Sequence, residues 1–123
     1  MRVLILEDSP GRTNYFRKWL ADTDLTVVDS VADAVLRASR FDYDAIFLDH
    51  ELGIGQPNGS QFTRAWRADA ETWVTKQPLV VLHTSSDWGA SLMYRDLQEI
   101  GIRAERMAFY LMDEDKVRKT LGL

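Results

Sequence analysis

"DAIFLDHELG", Asp44 to Gly53, is the stretch whose reading decides the fold. Ala45 to Leu48 is apolar without alternation, the pattern of a strand covered on both faces, as in parallel sheets. The run then stops on Asp49, His50 and Glu51. Two other runs end the same way: "VLILEDSP", Val3 to Pro10, on Glu7, Asp8 and Ser9, and "LVVLHTSSDWG", Leu79 to Gly89, on His83, Thr84, Ser85 and Ser86. A strand-to-helix turn needs only one capping residue. If the three strands are parallel, their polar tips meet at one end of one sheet.

Working outward, helical patterns fill the gaps between the apolar runs. Ser9-Pro10 starts a helix, as an N-cap followed by proline at the first position. Tyr15, Phe16, Trp19 and Leu20 give that helix an inward face, to about Ala21. Leu25 to Val28 reads as a second strand. Ser30 and Asp33 form a capping pair for a helix bearing Val31, Ala34, Val35 and Ala38. "HELGIGQPNGS", His50 to Ser60, is a loop by its Gly, Pro and Asn content. Asn58 and Gln61 cap the next helix, with Phe62, Ala65 and Trp66 inward and an expected end at Trp73 or Val74. Pro78 precedes the fourth strand, Leu79 to Leu82. Leu92, Met93, Leu97 and Ile100 mark a fourth helix stopped by Gly101. A fifth strand is expected over Arg106 to Leu111, and Asp113 caps a last helix bearing Val117 and Leu121.

Strict alternation of five strands and five helices predicts an α/β fold over residues 1–123: one domain with a doubly wound, five-stranded parallel sheet. Ligands of such sheets bind beyond the carboxyl ends of the strands, where the strand order reverses. The polar tips fall there.

The totals narrow the function. A chain of 123 residues, 46% apolar, supports one real core. A formal net charge of −4 opposes a broad nucleic-acid-binding surface, although a small phosphate ligand stays open. With no cysteine there is neither a disulfide framework nor a thiolate metal site. The apolar run near Met1 is too short for a signal segment or a membrane span, so a soluble cytoplasmic protein is expected.

Glu7, Asp8 and Asp49 would crowd three carboxylates together if strands one and three are neighbours. Such crowding raises carboxyl pKa values, so either one is protonated near neutrality or a cation joins them. A hard divalent ion resolves the conflict, and Mg²⁺ favours few carboxylates plus phosphate oxygens.

These residues carry a resemblance to the receiver domains of bacterial response regulators, over essentially the whole chain. "ILEDSP" resembles the first strand with its metal-holding acids, here Glu7 and Asp8. "DAIFLDHELG" resembles the third strand, which places the phosphoacceptor on Asp49 and makes it a third metal ligand. "PLVVLHTSS" resembles the fourth strand with its phosphate-contacting hydroxyl, Thr84 or the neighbouring Ser85. The resemblance implies the strand order 2-1-3-4-5. The family's fifth-strand lysine is missing, since "AERMAFYLMDED" has none before Lys116, and Arg106, the candidate substitute, differs from lysine in geometry and reach.

The chain is more similar still to a receiver variant, the cyclic-phosphate-processing receiver domain, through "FLDHEL" and the His-hydroxyl ending of the fourth strand. That resemblance implies an activity on cyclic or terminal phosphate esters, including nucleic-acid ends, with Asp49, His83, His50 and Thr84 as catalytic candidates. Histidine exchanges protons near neutral pH, as base toward water or acid toward a leaving oxygen. It can equally join a metal shell, which shifts preference from Mg²⁺ toward Mn²⁺. Two other readings stay open: a stand-alone response regulator phosphorylated on Asp49 by a histidine kinase, and a receiver used only to bind proteins. Trp88 and Tyr94 are assigned to core or rim packing, with base stacking as the alternative; Trp19, Trp66 and Trp73 are assigned to helix-sheet packing.

Overall fold

The computed structural model describes residues 1–123. Five parallel strands, β1 (Arg2–Leu6), β2 (Asp24–Val28), β3 (Ala45–Leu48), β4 (Leu79–Leu82) and β5 (Ala104–Arg106), lie in the order β2-β1-β3-β4-β5. Helices α1 (Pro10–Trp19), α2 (Val31–Arg40), α3 (Gly59–Asp69), α4 (Asp87–Glu99) and α5 (Glu114–Thr120) connect and cover them. The doubly wound sheet and its order are those read from the sequence.

Side chains alternate across a strand, and that alternation sorts the core into two layers. Leu4, Leu6, Ile46, Leu48, Val80 and Leu82 pack toward α2, α3 and α4. Val3, Ile5, Ala45, Phe47 and Val81 pack toward α1 and α5, against Phe16, Trp19, Leu20, Val117 and Leu121. Each fully buried Leu, Ile or Phe contributes about 1.5–3 kcal/mol relative to an exposed one. The largest are Trp66, Phe16, Phe47 and Phe62. No helix is long and apolar enough to cross a membrane.

Two local expectations are corrected. The third helix ends at Asp69, before a 3₁₀ turn over Ala70–Thr72. That turn folds Trp73 back, so its ring stacks on Trp66 at 5.2 Å without lying on the same helix. The fifth strand is Ala104–Arg106, not Arg106 to Leu111; Phe109–Leu111 is a 3₁₀ turn. Met107, Phe109 and Met112 leave the ladder to close the α1/α5 core layer. Of the core or rim positions expected for Trp88 and Tyr94, the structure gives the rim: both are exposed.

The helix starts behave as their sequences predict. Ser9, Ser30, Asn58, Ser86 and Asp113 each accept a bond from a backbone N–H in the first turn. Asn58 forms a full capping box with Gln61, and its Oδ1 also accepts the Ser60 hydroxyl at 2.6 Å. Asn58→Ala should therefore cost about 1 kcal/mol, measured by urea unfolding. A neutral substitution would show that the loop before α3, not the cap, fixes the helix start.

Candidate functional site

Register builds the site. Leu6 pairs with Leu48 and Leu48 with Leu82, so the next residues, Glu7, Asp49 and His83, stand side by side at the carboxyl ends of β1, β3 and β4. Their position parity sends all three to the α1/α5 side. All three are buried, and their ligand-type atoms lie within 4.8 Å of one another. The residues one further on, Asp8, His50 and Thr84, have the opposite parity.

His83 Nε2 lies 3.1 Å from Glu7 Oε1. Its Nδ1 is buried without a partner, beside the rings of Phe16 at 5.2 Å and Phe47 at 6.4 Å. A bare lone pair there costs less than an unpaired N–H, so the proton belongs on Nε2, donating to Glu7. The other Glu7 oxygen accepts the amides of Asp8 at 3.0 Å and Ser9 at 3.2 Å. Burial pushes the Glu7 carboxyl up, but the His83 hydrogen bond and field, the Ser9 amide and the Arg12 guanidinium outweigh it, leaving the group below its ordinary value.

Asp49 goes the other way. Burial is the largest influence and the Glu7 charge adds to it; His83, the His50 amide and Arg12 offset only part, so the carboxyl stays above its ordinary value. Asp49 Oδ1 accepts the His50 amide at 2.8 Å. Oδ2 carries no hydrogen bond, only the Arg12 guanidinium at 3.8 Å. Asp8 is exposed on the rim, its carboxyl also raised, by what burial it has and then by the Glu7 charge.

These groups floor an open polar cleft of about 350 Å³ lined by Glu7, Asp8, Ser9, Arg12, Asp49, Glu51, Gly53, Thr84 and Ser85. Thr84 is buried, and its hydroxyl oxygen accepts the Ser86 amide at 3.1 Å, which leaves its O–H free to donate. Ser85 is exposed on the same wall.

The remaining candidates lie elsewhere. His50 does not line the cleft. Its ring is buried against α4, where a Cβ added to Gly89 would come 2.3 Å from His50 Cγ, and its Nδ1 lies 3.1 Å from Glu51 Oε1. Trp88 meets the same ring edge-on at 5.6 Å. Arg106 is no substitute for a cleft lysine: its guanidinium pairs with Asp87 and with the Thr84 carbonyl. The cation at the carboxylates is Arg12, which the sequence reading passed over. Its signal was its place three residues after the Ser9 cap, on the first turn that faces the sheet end.

Residues 2–99 match the family model described as the cyclic-phosphate processing receiver domain. The chain belongs to that family. Solved structures place this receiver domain among response-regulator receivers in fold. A sensor protein from Polaromonas sp. JS666 is 24% identical, with a TM-score of 0.73 over 98% of this chain and 92% of that one. The receiver domain of a sensor histidine kinase from Pseudomonas aeruginosa, solved with a magnesium ion coordinated in its active-site cleft, is 21% identical, with a TM-score of 0.74 over 98% and 93%. The receiver domain of a repressor protein from Vibrio parahaemolyticus is 19% identical, with a TM-score of 0.70 over 98% and 86%. No curated protein matches the sequence significantly.

The donor set of this receiver domain fits a hard divalent ion: two buried carboxylates side by side, a third on the rim, and an open cleft above them. His83 fits less well as a ligand, because the nitrogen facing the cluster carries the proton it gives to Glu7.

Proposed function

We propose that the chain is a metal-assisted phosphate-handling receiver that opens cyclic phosphate esters, on a small molecule or at a nucleic-acid end. The observation that carries this is the buried, side-by-side Glu7–Asp49 pair on the floor of an open polar cleft that also presents Thr84.

Glu7, Asp49 and Asp8 would hold Mg²⁺ or Mn²⁺. The ion would supply the positive charge that a phosphate needs beside four acids, since Glu51 also lines the cleft. Glu7, fixed by His83 and two amides, stays ionised. Asp49 Oδ2 is the free oxygen. It accepts a proton from the attacking water as the new O–P bond forms and returns it to the ester oxygen as the ring P–O bond breaks. The Thr84 O–H donates to a phosphoryl oxygen, with Ser85 beside it. His83 acts through Glu7 as a positioning residue. A neighbouring cleft of about 400 Å³, across the Glu7–Asp8 ridge and lined by Thr13, Asn14 and Arg17, gives room for the rest of a substrate.

The unbonded Asp49 Oδ2 also favours a second reading, in which it attacks a phosphodonor and holds an acyl phosphate, as in signalling by a histidine kinase. Phosphorus NMR separates the two. With Mg²⁺ or Mn²⁺ present, a 2′,3′-cyclic nucleotide should open to a monoester, and Asp49→Asn should lose at least about 100-fold in rate, as removal of a general base does. A stable acyl phosphate formed from a small phosphodonor, with the cyclic ester untouched, would establish the signalling reading. Neither product would leave a protein-binding module.

A further inference from the structure

Arg12 is the only basic residue lining the cleft. Its backbone is set by the helix start, where its amide donates to Ser9 Oγ at 3.4 Å. Its Nη1 lies 3.6 Å from Glu7 Oε1 and 3.8 Å from Asp49 Oδ2, and its guanidinium carbon sits 5.0 Å from the centre of the Phe109 ring. Those carboxylate distances are ionic contacts, too long for hydrogen bonds. The side-chain N–H donors are therefore uncommitted, and about a third of the side chain (34%) is exposed to the cleft.

A guanidinium in this position does part of a metal ion's work, because it balances the same two carboxylates. It also stands in a metal ion's way: two cations cannot share one carboxylate pair without repelling each other. A divalent ion that settles on Glu7 and Asp49 must turn Arg12 aside. The planar fork of a guanidinium matches tetrahedral phosphate, which gives the displaced group a destination in the cleft, and the Phe109 face can support the stem of that movement.

We infer that Arg12 is an exchangeable counter-cation. It holds the Glu7–Asp49 pair when no divalent ion is bound, and binds phosphate oxygens when one arrives. Metal and phosphate then bind with positive coupling to which this side chain adds, beyond the ion's own attraction for phosphate oxygens. The inference rests on the reading of the cleft as a metal and phosphate site, and it adds that the two ligands are linked and through what.

Calorimetry with Mn²⁺ and inorganic phosphate tests it on the intact chain, each ligand titrated alone and with the other saturating. In the wild type, phosphate should tighten Mn²⁺ binding about tenfold, and Mn²⁺ should tighten phosphate by the same factor. Arg12→Gln should bind Mn²⁺ alone about tenfold more tightly than the wild type, for want of its rival, and should couple the two ligands several-fold less than the wild type, leaving only the ion's own attraction for phosphate. Arg12→Lys keeps the charge without the fork, so it should bind Mn²⁺ as the wild type does but couple it less to phosphate; it carries the test if the glutamine variant does not fold. A wild type that binds Mn²⁺ without coupling, or an Arg12→Gln protein that matches the wild type in both respects, overturns this inference alone. A wild type that binds neither ligand overturns the reading of the cleft as well.

Discussion

Gly59→Ala should destabilise the protein by about 3 kcal/mol and disturb the site with it. Alanine in a helix is ordinarily favoured over glycine by about 1 kcal/mol, so propensity alone predicts the opposite sign. Packing decides the matter. A Cβ at Gly59 would lie 2.1 Å from the carbonyl oxygen of Asp49 and 2.8 Å from Met93 Sδ. Met93 is fully buried, and the backbone at Asp49 is held from both sides, by the Leu6 carbonyl on its own N–H and by Gly59 N bonding to the next carbonyl, that of His50, at 2.9 Å. Neither can retreat without moving β3 or α4. Urea unfolding measures the loss. A variant as stable as the wild type would mean that the start of α3 can shift freely relative to Asp49.

Glu7→Ala and Asp49→Asn should shift stability in opposite directions, although the two acids are neighbours of similar burial. Glu7 accepts three donors, from His83, Asp8 and Ser9, and its removal leaves the buried His83 N–H unpaired and two part-buried amides without their acceptor, at a cost of about 3 kcal/mol. Asp49→Asn keeps an acceptor for the His50 amide and removes a charge that burial and Glu7 disfavour, for a net gain near neutral pH. The pH dependence follows from the directions of the two shifts. A carboxyl held below its ordinary value contributes stability that is complete above that value, 4.5 for Glu7, and fades as pH falls through the lower folded value. A carboxyl held above its ordinary value, 3.8 for Asp49, costs nothing below that value, and its penalty grows as pH rises through the folded value. Thermal melts across this range should show the Asp49→Asn gain vanish in acid and the Glu7→Ala loss shrink. An Asp49→Asn protein less stable than the wild type at pH 7 would contradict the electrostatic picture of the cluster.

The central strands were legible because their signal is redundant. Ala45 to Leu48 is apolar on both faces and bounded by polar residues, and its observed limits are those read from sequence. The convergence of Glu7 and Asp49 then follows from parallel register. His83 joins them by the same equal offset, a relation present in the sequence but visible only once the register is known. The fifth strand was misread because Met107, Phe109, Tyr110 and Leu111 form an apolar cluster with no period to tell ladder from cover. Burial demand from Phe16 and Trp19 pulled Phe109 out of the sheet plane, where it stacks on Trp19 at 5.8 Å. Arg12 was passed over for a different reason. A charged residue on the first turn of a helix reads as solvated, and only the fold places it over two strand tips.

The outermost strands bear on how the molecule behaves when crowded. β5 offers only three residues, with Glu105 paired to Arg103 and Arg106 drawn to Asp87, while β2 begins at Asp24, which is paired to Arg2. A foreign strand seeking main-chain partners meets a short stretch on one flank and charge on both, conditions that discourage templated pairing and fibril growth.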